Sequence, residues 1–284
     1  MGLAVLAVAC FSLTVPATRA AVPELGALLV GAGRSAVAAL LALCVLLVRR
    51  DPLPQRSQLL PLCWVALGVA FVWPLCSAQA LRSVPSVHAL VIIGLVPMAT
   101  ALFAVFRNGE RPSRAFWTAS VLGAAAVFTF GVTQAPLHFA SADAWLVLAV
   151  IGAAFGYSEG ARLTPSMGGW RVISWALVLT LPLSFSITAY AFARHPVHQV
   201  SWGAGLGFGY VAVVSMYLGL FAWYRGLALT GVARASQVQL AQPVLGFFWS
   251  WLLLGEAVSG ATLLTALFVL ACAASASRAR VRAT

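Results

Sequence analysis

The residues of this 284-residue chain that could do chemistry are few, and their types exclude more than they offer. There are six acids, four histidines, five cysteines and 17 arginines, but no lysine. A Walker A phosphate loop needs its lysine, and a pyridoxal enzyme needs one for the Schiff base, so the chain alone does neither ATP-driven pumping nor that chemistry. Cys10, Cys44, Cys63, Cys76 and Cys272 fall in apolar runs without CxxC spacing, which suggests packing residues rather than a disulfide framework or a zinc site. His88, His138, His195 and His198 stand at the ends of apolar segments or in the links between them. No HExxH, and no intramembrane Ser/His or paired-Asp set, can be assembled. The expectation is no enzyme, no cofactor and no metal.

What remains are single residues in unusual places. Arg34 is the one charge placed near the middle of an apolar run, where a charge is costly and marks a functional site by default. It could meet a substrate carboxylate, bind carbonyls freed at a kink, or pair with an acid, and no acid is obviously at its depth. Glu159 precedes Arg162 by three residues at a segment end; an i,i+3 ion pair is the plain reading and a proton-coupling carboxylate the sharper one. Pro97 and Pro243 lie inside apolar runs, where a proline removes a backbone hydrogen bond and offers a bend or a bared carbonyl. Each is followed 13 residues later by a glutamate, in Gly109-Glu110 and Gly255-Glu256, suited to capping a neighbouring helix N-terminus. Ser236, Gln239, Gln242, Gly246 and Ser250 step along one helical face, small and polar, as a cavity wall or interhelical glue would. Tyr210, Tyr217, Phe221 and Tyr224 share another face, which suits packing or a cavity wall. Gly152, Gly156 and Gly160 form a small-xxx-small ridge that signals close helix approach.

The elements that must position these residues are membrane helices. Apolar residues make up 62% of the chain and charged ones 8%, whereas a soluble domain carries roughly a quarter charged. Apolar runs of spanning length are expected near 2–18, 25–48, 59–80, 84–106, 115–132, 142–161, 171–193, 203–224, 231–253 and 260–277. The net charge of +11 does not point to nucleic acid, because the arginines sit at the ends of these runs. With a cytoplasmic N-terminus, 13 arginines of the connections and tail fall inside and only Arg19, Arg82 and Arg194 outside. Both termini are then cytoplasmic and the number of spans is even.

The two halves repeat. An offset of 146 residues pairs Pro97 with Pro243, Glu110 with Glu256 and Ser12 with Ser158, and superposes five spans on five. It also sets Trp64 and Phe71 opposite Tyr210 and Tyr217. Five is odd, so the second copy enters the membrane upside down. Charge agrees: the first Gly-Glu turn is flanked by Arg107, Arg111 and Arg114, and its copy has no arginine. The expected fold class is an all-α integral membrane protein of ten transmembrane helices, as two inverted five-helix repeats over 1–138 and 139–284. Such repeats are common in secondary transporters, with the substrate near the midplane between them.

On these paired Pro…Gly-Glu blocks and the second-span Gly33-Arg34-Ser35, the whole chain resembles the drug/metabolite transporter (DMT) superfamily, specifically its EamA-type carriers. It departs in the first span, where Phe11-Ser12-Leu13-Thr14 stands in place of the family's Trp-Gly-Ser-Asn-like stretch. The resemblance implies alternating access around a site built from spans one, three, four, six, eight and nine. It implies a small organic cargo such as an amino acid, exported or facilitated across the cytoplasmic (inner) membrane. The partners expected are that solute and the lipid bilayer, with no nucleic acid and no ATP. The other class is a non-transporting helical bundle, structural or receptor-like.

Overall fold

The computed structural model describes residues 1–134, 141–194, 197, 199–255 and 260–282, and they are almost wholly helical. Among them ten rods follow one another. The first four are α1 (Gly2–Leu25), α2 (Ala27–Arg49), α3 (Arg56–Ala80) and α4 (Ser86–Asn108). After α5 (Arg114–Gln134) come α6 (Ser141–Met167), α7 (Gly169–Arg194) and α8 (Trp202–Thr230). The last are α9 (232–254) and α10 (Gly260–Arg278). Seven of them, α1–α4 and α6–α8, are long and apolar enough to cross a bilayer by length and composition. α1 runs seven residues past the expected end at 18, and only Gly26 separates it from α2. Outward faces are apolar: Val48 is 83% and Phe106 78% exposed, as a lipid-facing surface requires. Cys44 and Cys63 lie on that exposed surface; of the five cysteines only Cys76 and Cys272 are buried packing residues.

The rods are interrupted at matching places. α4 breaks at Gly94–Leu95, and Pro97 stands in the first turn of its second part. α9 opens as α-helix, tightens to a 3-10 turn over Gln237–Leu240, and resumes with Pro243 in its first turn. A proline has no N–H to give the preceding turn, so a change of winding just before it is the expected response. α3 widens to π-helix over Ala66–Val72 and α8 over Tyr210–Leu218. The turns that close α4 and α9 fall at Gly109 and Gly255, both at φ +68°, a left-handed backbone that favours glycine.

Small residues set the closest approaches. A Cβ on Gly68 of α3 would come within 2.2 Å of the Gly152 carbonyl of α6, and one on Gly160 within 2.1 Å of the Tyr224 ring. The glycine ridge of α6 thus packs α3 on one part and α8 on another.

Polar contacts gather at the two ends of the bundle. At one end the Glu110 carboxylate accepts from the backbone N–H groups of Val232 (2.6 Å) and Ala233 (2.8 Å), capping α9. Nearby, Ser158 donates to the Asn108 side chain (2.7 Å). Arg171 pairs with Asp51. A two-residue strand β1 (Arg111–Pro112) pairs antiparallel with β2 (Val281–Arg282). At the other end both Glu24 oxygens are taken by Ser201, the N-cap of α8, at 2.6 and 2.7 Å. Arg19 donates to the Leu81 carbonyl (2.6 Å) there, and His88 meets Asp143 at 2.7 Å. The capping expected of Glu110 is made; Glu256 lies outside the described residues.

Candidate functional site

Two hollows stand out among the described residues. The larger, about 660 Å³, opens at the Glu24 end between the α1–α2 turn and the ends of α3 and α7. It shares no lining residue with the second, which is buried at the centre of the bundle. The central one measures only about 20 Å³, room for roughly one water. Its wall takes Phe11 and Thr14 from α1, Val69 and Trp73 from α3, Val96 from α4, Tyr157 from α6, Ser215 and Leu220 from α8, and Gln239 and Gln242 from α9. Six of the ten rods, α1, α3, α4, α6, α8 and α9, thus contribute to it. The central cavity is the candidate site because both halves build it.

Its wall is apolar with a polar seam. Thr14 and Ser215 share a hydrogen bond at 2.7 Å, joining α1 to α8. The Tyr157 hydroxyl approaches the Gln239 side chain, whose Oε1 has no partner that satisfies hydrogen-bond geometry. Gln239 projects from the 3-10 turn before Pro243, so the altered winding decides where this amide points. Outside the cavity wall, Arg34 on α2 is 1% exposed. It donates from Nη2 to Ser77 (3.0 Å) and weakly from Nη1 to Thr18 (3.4 Å), while its Nε is without a partner. The acid or carbonyl partner open to it in the sequence is absent among the described residues; hydroxyls stand there instead.

Of the other sequence candidates, Pro97 and Pro243 are buried at the two helix breaks. Ser236, first on the polar stripe, is glue: it donates to the Ala233 carbonyl at 2.8 Å and the Pro97 carbonyl at 3.3 Å. Gly246 packs on Leu90, and Ser250 is fully buried with its hydroxyl unpartnered. On α8 the aromatic face is tied into the protein rather than bare. Tyr210 donates to the Cys10 carbonyl (2.7 Å) and Tyr224 to that of Gly156 (3.3 Å), while Tyr217 meets Ser174 (3.1 Å) and stacks edge-on with Phe221. Trp64 lies 39% exposed on the outer surface against Phe155, and Phe71 is half-buried; neither lines the cavity. Glu159 is fully buried and holds two arginines, Arg107 at 2.5 Å and Arg162 at 3.1 Å. Arg162 is the i,i+3 partner expected; Arg107, from α4, is the one the spacing could not show.

The sequence profile of the EamA-like transporter family matches residues 1–132 and again 140–277. The chain belongs to that family. It is also 40% identical over 273 residues to an uncharacterized transporter, YdeK, of Bacillus subtilis (strain 168), covering 96% of this chain and 95% of the other. A crystal structure of a protein 20% identical in sequence superposes over 97% of each chain with a TM-score of 0.74, a likeness of fold. A family of transporters accounts for an almost wholly helical, apolar-surfaced chain with a small central cavity.

Several residues of this EamA-like transporter's cavity gave no signal in the sequence. Tyr157 sits within the glycine ridge, where spacing points to helix packing. Trp73 and Ser215 are isolated in apolar runs. Only the partners on other rods give them meaning.

Proposed function

We propose that the protein is a secondary carrier of a small organic metabolite, an exporter or facilitator in the cytoplasmic membrane working by alternating access. Two inverted five-helix repeats, 1–138 and 139–284, form ten spans with both termini cytoplasmic. The matched helix breaks at Pro97 and Pro243 and the matched π segments of α3 and α8 support the repeat. One observation carries the mechanism: a central cavity of about 20 Å³ is walled by rods of both halves, which polar links also join near either end of the bundle. At the Glu24 end these are Glu24–Ser201 and His88–Asp143. At the other they are Glu110 on α9 and Arg107 on Glu159. Releasing one set while the other holds opens the cavity to one side only. The test is solute flux into proteoliposomes over a panel of metabolites. Saturable counterflow of at least one solute is expected. Flux no faster than in protein-free vesicles for every solute leaves the non-transporting bundle as the better account.

A further inference from the structure

Five of the six acids of this chain are already spoken for. Glu24 caps α8, Asp51 holds Arg171, Glu110 caps α9, Asp143 meets His88 and Glu159 holds Arg107 and Arg162. All five stand at the ends of the bundle, and the sixth, Glu256, lies outside the described residues. The interior therefore keeps one cation, Arg34, with hydroxyl neighbours, an unpartnered Nε and no counter-charge among the described residues. A buried guanidinium left this way is costly, and its cost falls when an anion reaches it. Thr18 and Ser77, which hold Arg34, stand one helical turn from Thr14 and Trp73 of the cavity wall.

We propose that Arg34 is the anion subsite of the central cavity and that the cargo is an organic monocarboxylate with an apolar body and no ammonium group. This rests on the carrier reading above and narrows its substrate class. One guanidinium neutralises one carboxylate; a dianion such as a phosphate monoester leaves a charge uncompensated. An ammonium finds no carboxylate in the cavity wall among the described residues and is repelled by Arg34. The apolar body has Phe11, Val69, Trp73 and Leu220 to pack against.

The test uses the full-length protein in detergent, with phenylacetate, phenylacetamide, phenethylamine and phenylalanine as matched probes read by tryptophan fluorescence and thermal unfolding. Phenylacetate should bind at least roughly tenfold more tightly than the other three, the weight of one charge-assisted bond. Arg34→Gln should remove that preference. Thr18→Asp, which places a carboxylate beside the Arg34 guanidinium, should raise the melting temperature and abolish phenylacetate binding; it carries the test if Arg34→Gln does not fold. Several results overturn the proposal: no phenylacetate binding, equal binding of phenethylamine or phenylalanine, or phenylacetate binding unchanged in the variants. Displacement of phenylacetate by chloride at equal concentration would make Arg34 an inorganic-anion site and overturn it too. Proteoliposome flux separates the two readings. Carriage of amines but not carboxylates defeats this proposal alone. Carboxylate binding without flux of any solute defeats the carrier reading and leaves the subsite.

Discussion

Glu159 shows how far a single residue's meaning depends on partners from other rods. Its spacing to Arg162 reads as a surface ion pair, worth at most about 1 kcal/mol. In the fold it is fully buried and also holds Arg107, so it bridges α4 and α6. Removing its charge leaves two half-exposed arginines facing each other, a loosening of that end rather than a collapse. Glu159→Gln should therefore make a cysteine at Gln239 react faster with small thiol reagents applied from the arginine-rich side, after the native cysteines are replaced. An unchanged rate would mean that this bridge does not hold the end shut. Gly68 is the opposite case, since a Cβ there meets the Gly152 carbonyl, and backbone cannot step aside as a side chain can. Gly68→Ala should cost roughly 1–3 kcal/mol, seen as a lower melting temperature, and should cost more than Gly156→Ala, whose nearest obstacle is the Val69 side chain.

At the scale of elements, the helices were legible and their winding was not. The Gly-Glu turns marked the ends of α4 and α9, and Glu110 does cap a helix N-terminus as a carboxylate there should. Its replacement by Ala should cost about 1–2 kcal/mol, measurable as a fall in melting temperature that Gln only partly restores. The aromatic pairing, made by the 146-residue offset, does not put Trp64 and Phe71 in the cavity wall. Trp64 precedes the π segment Ala66–Val72 and Phe71 lies within it, so a widened turn separates faces that a regular helix would align. Long-range pairs such as His88–Asp143 and Glu24–Ser201 leave no mark in sequence spacing at all. The proline breaks were legible from their repetition, and their use is testable. Pro243→Ala returns an N–H to α9 and should let the 3-10 turn relax towards α-helix. Flux should then fall severalfold while the melting temperature holds or rises. A variant that transports normally would make the break mere packing.

For the whole molecule, composition declared a helical membrane bundle before any contact was known. Cavity size could not be read that way, because it depends on how closely ten rods settle. The arginine asymmetry remains an expectation that reporter fusions can check. Fusions after Arg56 and Asn108 should read as cytoplasmic and one after His198 as external; a cytoplasmic reading at His198 removes the inverted repeat. The end-bound acids bear on energetics as well. With no carboxylate in the cavity wall among the described residues, transport should survive collapse of the pH gradient by an ionophore. Strict dependence on that gradient would move the proton site to Glu159 or His88–Asp143.

The near-absence of central space has a consequence for solvent. A cavity of about 20 Å³ holds roughly one water, so admitting any metabolite means drawing in many water molecules during each opening. Solutes too large to enter the cavity then act as an osmotic load against that hydration. Large polyethylene glycols or dextran on both sides of the membrane should slow the carrier in proportion to osmotic pressure, while glycerol, small enough to follow the water in, should slow it far less at the same osmolality.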